Sequence, residues 1–520
     1  MLLTAENNTI AVFLAAWHHL QNMAGLKSGD LTESYRGRMF TSFAGVRYAQ
    51  PPIGDLRFRD PEPIKYYSAT GRKIDCLEVD QSDGKVLGQE DCLFLNIHTP
   101  DPFTKTGLPV LVWIQGQAFA QGNNKVSDLY PYKLMDYNMV VVTMSYRLGP
   151  LGFASMEKAD FTGNYGLRDQ AMAIEWIIKN IHLYGGNPYN ITLAGEGAGA
   201  SYVLHHLHGE FSGRIKKGIA FGGSRYAPWA ISKKKTVGNR TLELALALGC
   251  VDFNPDCLRS VDAVRLVKTA YKLQKQGSLF APLGMNVLFT SSSLWNQIMS
   301  HYKTVVDGVT VKSYPWRRVE PKTSFSLLIG LTEDLGTVIR SFFSRNNWSE
   351  ETAEKVYNSF YDPDRIMGMR RAFYYRSIRA KLINVYKGGG AMEKLENITA
   401  DSWYFMPAMA EAKFHTGPFE AFMVKFNRYL PELNCEFRVR APFLTSFEDC
   451  PPFDNVYQRV EDESVQLVAD FIHGRKLQLK QHSEDKNIFS ITQALHTPVA
   501  FEEVDDGIVN RMRIWNSLFL

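Results

Sequence analysis

The sequence has no apolar run approaching the roughly 20 residues that a membrane-spanning helix needs. Neither sign of charge prevails. The 58 Lys and Arg side chains stand against 54 Asp and Glu, a net charge of +4, and that balance gives no reason to expect a nucleic-acid partner. The local exceptions are Lys233-Lys234-Lys235 and the set Arg370, Arg371, Arg376 and Arg379, which read as solvated faces. No C-x-x-C pair and no His-Cys cluster occurs among six cysteines and 12 histidines, so no metal site and no cofactor is expected. Internal repeats, low-complexity tracts and inter-domain linkers are absent, and Gly388-Gly389-Gly390 reads as a loop.

What is present suits a large globular chain. Hydrophobic residues make up 45% and charged residues 22% of 520 positions, ample for a sizeable core. The N-terminus carries Ile10-Ala11-Val12-Phe13-Leu14-Ala15-Ala16-Trp17, the size of a secretory h-region, with a cleavage point near Ala24. Against this, the residues before it lack Lys and Arg and include Glu6. Two readings stay open: residues 1–24 are a signal peptide ahead of one domain at 25–520, or they are a short leading helix or a misassigned start.

The chain is organised around Gly195-Glu196-Gly197-Ala198-Gly199. The run Ile191-Thr192-Leu193-Ala194 before it reads as a short buried strand, and residues 200–207 after it read as a helix. Strand, glycine-framed turn and helix form the setting of a nucleophile elbow, G-x-S-x-G, yet the central seat holds Gly197. Upstream, residues 29–63 suggest an antiparallel hairpin and a tight loop. Buried strands are expected at 110–114 and 140–147, and residues 171–181 have the 3.6-residue spacing of a helix. Strands alternating with helices predict an α/β fold with a large, mostly parallel sheet and helices on both faces.

The ordered blocks "SFAGVRYAQPPIGDLRF", "EDCLFLNI", "YRLGPLGF", "GNYGLRDQ", "YGGNPYNITLAGEGAG" and "GGS" resemble the type-B carboxylesterase and cholinesterase family. Weaker likeness continues through residues 330–336, 401–407 and 513–516, so the resemblance covers about residues 25–517. It implies the α/β-hydrolase fold with a helical cap region, and a Ser, His and acid triad with an oxyanion hole.

Set against that expectation, the chemical parts are missing. Gly197 occupies the nucleophile position. Ser201 lies one helical turn further on and reads as a packing residue. The acid position falls on Leu335, unless a register slip brings in Glu333 or Asp334. The base position falls near Ser446, and no histidine lies between His415 and His473, which sits well into the later helix beginning near Glu461. His205, His206 and His208 read as polar helix-face or helix-end residues. In the oxyanion-hole loop, Gln117 and Ala118 replace two of three glycines; the Ala198 amide survives. Losing a serine nucleophile alone removes about six powers of ten in rate, so family-type hydrolysis is not expected.

The resemblance also implies structural features. It pairs Arg57 with Glu90 and Arg147 with Asp169 as buried ion pairs, and joins Cys76 to Cys92 and Cys250 to Cys257. Cys435 and Cys450 are left over, and a third bond between them stays open. Sequons at Asn239, Asn347 and Asn397 are candidate glycan sites, whereas Asn190 abuts a strand and Asn7 would leave with a signal peptide. No aromatic residue lies between Leu77 and Asp91, where cholinesterases carry the tryptophan that receives choline.

Three functional readings follow. The first is a catalytically inactive recognition or adhesion protein, resembling glutactin, neurotactin, gliotactin and the neuroligins, with a protein partner at a cell surface or matrix. With no span, stalk or acidic tail up to Leu520, a secreted, extracellular, glutactin-like form is expected. The second is a binder of an apolar small molecule or lipid in the former gorge. The third is an esterase with relocated catalytic groups. A homodimer through residues 499–520 is implied by analogy alone.

Overall fold

Valine, leucine and isoleucine make up most of the short segments 108–114 and 140–144, and every residue of both is buried. Strands buried on both faces belong at the centre of a parallel sheet covered on each side. The computed structural model describes residues 29–477, apart from 66–67, 81–82, 101–105, 117–128, 130, 157–159, 252–253, 277–300, 318–323, 333–334, 346–347, 361–382, 387 and 425–454, together with 488–490 and 511.

Ten strands form one sheet: β1 (Asp30–Glu33), β2 (Met39–Arg47), β3 (Phe94–Thr99), β4 (Leu108–Ile114), β5 (Val140–Met144), β6 (Gly186–Glu196), β7 (Lys217–Phe221), β8 (Ser326–Thr332), β9 (Phe419–Val424) and β10 (Ile488–Ser490). Their order is β1-β2-β3-β5-β4-β6-β7-β8-β9-β10. The first three rungs and the last are antiparallel; the five between them are parallel.

Alternation along the strands divides two cores. Val110, Val112 and Ile114 join one, with α1 (Tyr165–Asn180) contributing Ile174 and Ile177, and α2 (Ala198–His208) contributing Val203 and Leu207. Leu111 and Trp113 point to the other, against Val465, Val468 and Ile472 of a helix at Asn455–His473. Helices therefore cover both faces, as expected of this fold class. Among the described residues no helix is long and apolar enough to cross a membrane.

Arg147 and Asp169 form a buried bidentate pair, Nε to Oδ2 at 2.7 Å and Nη2 to Oδ1 at 2.6 Å, that ties the end of β5 to α1. Arg57 meets Glu90 through two bonds and also donates Nη1 to the carbonyls of Leu258, Arg259 and Val261. Disulfides join Cys76 to Cys92 and Cys250 to Cys257, with Cα atoms 4.9 and 5.7 Å apart.

Several elements differ in extent from the sequence reading. The strand expected at 140–147 ends at Met144, and the helix expected at 171–181 runs Tyr165–Asn180. The elbow strand runs the whole of Gly186–Glu196 rather than four residues. His473 is the last residue of its helix, which begins at Asn455, not near Glu461.

His205 and His206 are buried, not polar-face residues, because α2 is covered on all sides from Ala198 to Leu207. His206 meets the Gln170 side-chain oxygen at 2.9 Å. Burial pushes its imidazole down to about 3, and burial with the Lys73 charge does the same to His98. Unfolded, both rings take up a proton near pH 6.5; folded, only near 3. The unfolded chain thus binds more protons between those values. Stability is full above pH 6.5 and falls with acidification, by about 1.4 kcal/mol per pH unit for each ring. Urea unfolding between about pH 6 and pH 4 checks this, with His206→Gln expected to remove one ring's share of the slope. A pH-independent midpoint would mean that water reaches both rings.

Candidate functional site

The end of β6 and the start of α2 meet at Gly197, whose backbone lies at φ 55° and ψ −117°. Side chains rarely adopt that conformation, and a nucleophile elbow is one of the places where they are forced to. Glycine adopts it freely. The Gly197 N–H donates to Phe221 O at 2.9 Å, fixing the seat to the end of β7.

The glycines around the seat serve another purpose. A Cβ on Gly195 would stand 2.5 Å from Gly199 C, and one on Gly199 would stand 2.1 Å from Ile114 O. A Cβ on Gly223 would stand 2.2 Å from Gly197 O. On Gly116 it would meet Glu196 O at 1.8 Å and Ala198 N at 2.9 Å. The backbones at Ile114–Gly116 and at Gly223 therefore close on the turn so tightly that no side chain fits at these four glycines. At Gly197 itself the reverse holds: a Cβ would have no described atom within 4 Å. Among the described residues the space beside Gly197 is open.

Leu335, the residue that the sequence reading set at the acid position, is 2% exposed and begins the short turn Leu335–Thr337. A Cβ on Gly222 would lie 3.2 Å from Leu335 Cδ2 and 4.0 Å from Tyr404 Cδ1. The Tyr404 ring in turn sits 6.4 Å from that of Trp229. This flank is apolar. Ser201 is fully buried in α2 and cannot reach the seat. Among the described histidines, His415 bonds Phe325 O and His208 lies edge-on to the Phe325 ring, both occupied with packing below β8. Among the described residues no cluster of His, Cys, Asp and Glu could hold a metal ion.

Gln117, Ala118, Glu333, Asp334, Ser446, Asn347, Cys435 and Cys450 lie outside the described residues, as do residues 1–24 and, apart from Arg511, 499–520. Ala198 opens α2, with no side chain capping the helix. Asn239 is exposed on α3 (Lys234–Leu248) and Asn397 half-buried on the helix Ala391–Ala400; Asn190 lies inside β6, accepting from Lys217 Nζ at 3.3 Å.

One group escaped the sequence reading. Immediately after β7, Ser224 and Arg225 converge on Glu411, in the helix Met406–Phe414, with Ser224 Oγ and the Arg225 N–H and Nε 3.1 to 3.2 Å from Oε1. Glu411 is 186 residues away in the chain from Arg225, and no spacing rule links the two.

The geometry is that of a hydrolase elbow, and sequence comparison agrees. The profile of the carboxylesterase family matches residues 19–487. The chain belongs to the carboxylesterase family. Relatives of this carboxylesterase-family chain include Esterase E4 of Myzus persicae, 32% identical over 355 residues, which are 64% of this chain and 60% of the relative. Esterase-5C of Drosophila pseudoobscura pseudoobscura is 36% identical over 267 residues, 48% of each chain. Venom carboxylesterase-6 of Apis mellifera is 38% identical over 248 residues, 45% of this chain and 43% of the relative. The matched stretches thus span about half the length of these relatives.

Proposed function

We propose that this carboxylesterase-family chain does not hydrolyse esters and acts outside the cell by recognising another protein, as the glutactin, neurotactin, gliotactin and neuroligin branch does. The observation that carries the reading is the seat: an elbow backbone with room for a side chain and Gly197 in it. Leu335 in the acid position and the histidine-free stretch between His415 and His473 support it independently. The names of the relatives describe esterases; hydrolysis in such folds needs a nucleophile and base that these positions do not supply. Two disulfides suit an oxidising, extracellular setting.

A second reading draws on the same seat. The space at Gly197, open among the described residues, and the apolar flank of Leu335 and Tyr404 against Gly222 suit an apolar small ligand held without cleavage.

The test is hydrolysis of p-nitrophenyl acetate and butyrate by the purified chain, with and without an organophosphate, alongside saturable binding to cells. Release at the buffer rate with saturable cell binding is expected. Organophosphate-sensitive release would overturn the proposal and point to relocated catalytic groups. A lipid or small ester co-purifying in stoichiometric amount, without cell binding, would favour the second reading.

A further inference from the structure

Helix α4 (Ala263–Gln276) contains no acidic residue and four basic ones, Arg265, Lys268, Lys272 and Lys275. All four are exposed. Their spacing of three, four and three residues brings them within an arc of about 80° and along about 15 Å of helix. Leu266, Val267, Ala270 and Leu273 occupy the opposite side and are buried in the core. Packing accounts for the apolar side of α4; it does not account for a single file of cations on the other.

Arg265, Lys268 and Lys272 make no ion pair with any described carboxylate, and Lys275 lies 5.6 Å from the centre of the Tyr271 ring. Acids three or four residues away stabilise basic positions on a helix; α4 itself contains none, and Asp262, three residues ahead of Arg265, accepts the backbone N–H. The stripe is also narrow. Asp262, whose carboxylate accepts from the Arg265 N–H at 2.8 Å, closes one end. Burial, and then the charges of Asp80 and Asp83, push the Tyr271 hydroxyl up, which places those carboxylates along one flank. Gly84, in the same loop, approaches the Tyr271 ring.

We propose that the exposed stripe of α4 binds a linear polyanion of the sulfated-polysaccharide class. A broad anionic surface such as a bilayer would bring Asp80, Asp83 and Asp262 against like charge, and the apolar side of α4 is buried, leaving only Val264 exposed beside the stripe. A thread of sulfates fits a single file of cations between carboxylates. Nucleic acid is also linear and anionic, but the Cys250–Cys257 disulfide just ahead of α4 suits an oxidising compartment, where sulfated polysaccharides lie. The proposal goes beyond the reading of the seat, since binding is scored with no ester present.

The test measures binding of the full chain to a size-fractionated heparin oligosaccharide by surface plasmon resonance near physiological salt. Lys268→Ala/Lys272→Ala is compared with Lys179→Ala/Lys216→Ala, a charge-matched variant at two exposed positions elsewhere. The α4 variant is expected to bind at least ten-fold more weakly, and the other within two-fold of the parent. The slope of log affinity against log salt should fall by about 1.4 for two lost contacts. Equal weakening by both variants, or none by either, would overturn the stripe. Tighter binding of single-stranded DNA of matched charge, or of phosphatidylserine vesicles, would overturn the assignment to a sulfated polysaccharide.

Discussion

Gly197→Ser is expected to give a protein that still releases p-nitrophenol at the buffer rate. The substitution has room, since no described atom lies within 4 Å of the new Cβ. The hydroxyl would stand where an elbow presents one. Yet a serine without a base is a weak nucleophile at neutral pH, and removing the base alone costs about six powers of ten in kcat. Leu335 supplies no carboxylate to orient a base. The variant should also be less stable, by about 1 to 3 kcal/mol, because a side chain at φ 55°, ψ −117° is strained. A lower unfolding midpoint with unchanged, organophosphate-insensitive background is the predicted pair of results. Organophosphate-sensitive turnover in the variant would show that a base reaches the seat after all.

Asp169→Ala should be more damaging still. Asp169 is fully buried and its partner Arg147 is 2% exposed, with Arg147 N, Nε and Nη2 all donating to the carboxylate. Removing the carboxylate leaves a buried guanidinium uncompensated, a loss of about 3 to 5 kcal/mol. Whole domains are stable by only about 5 to 15 kcal/mol, so soluble yield should drop sharply and the urea midpoint with it. Arg147→Met/Asp169→Leu, which removes both charges, should recover much of the loss. A midpoint for Asp169→Ala within about 0.5 kcal/mol of the parent would mean that water solvates Arg147.

The sheet and the elbow were legible because they rest on local pattern. Apolar runs at 110–114, 140–147 and 191–194 read as buried strands, the second ending at Met144 in the structure, and the glycines at 195 and 199 mark where backbones touch. The length of β6 was not legible: Asn187-Pro188-Tyr189-Asn190 has the composition of a turn, yet it lies within the extended strand. The burial of His205 and His206 was hidden for a similar reason. A helix interleaving polar and apolar residues suggests an exposed side, and only the surrounding elements show that none exists. Glu411 could not be linked to Arg225 from sequence, because an ion pair across the fold leaves no local signature.

Arg57 has a consequence for how the chain can be divided. Its guanidinium bridges a loop closed by one disulfide, through Glu90, and the end of the short helix Pro255–Ser260, whose Cys257 belongs to the other. Arg259 returns the contact, donating Nε to Arg57 O at 3.0 Å. The contact partners are 202 positions apart. A cut between them would separate a buried cation from carbonyl acceptors that no nearer stretch replaces. A fragment ending between the two loops would leave the Arg57 guanidinium without three of its carbonyl acceptors.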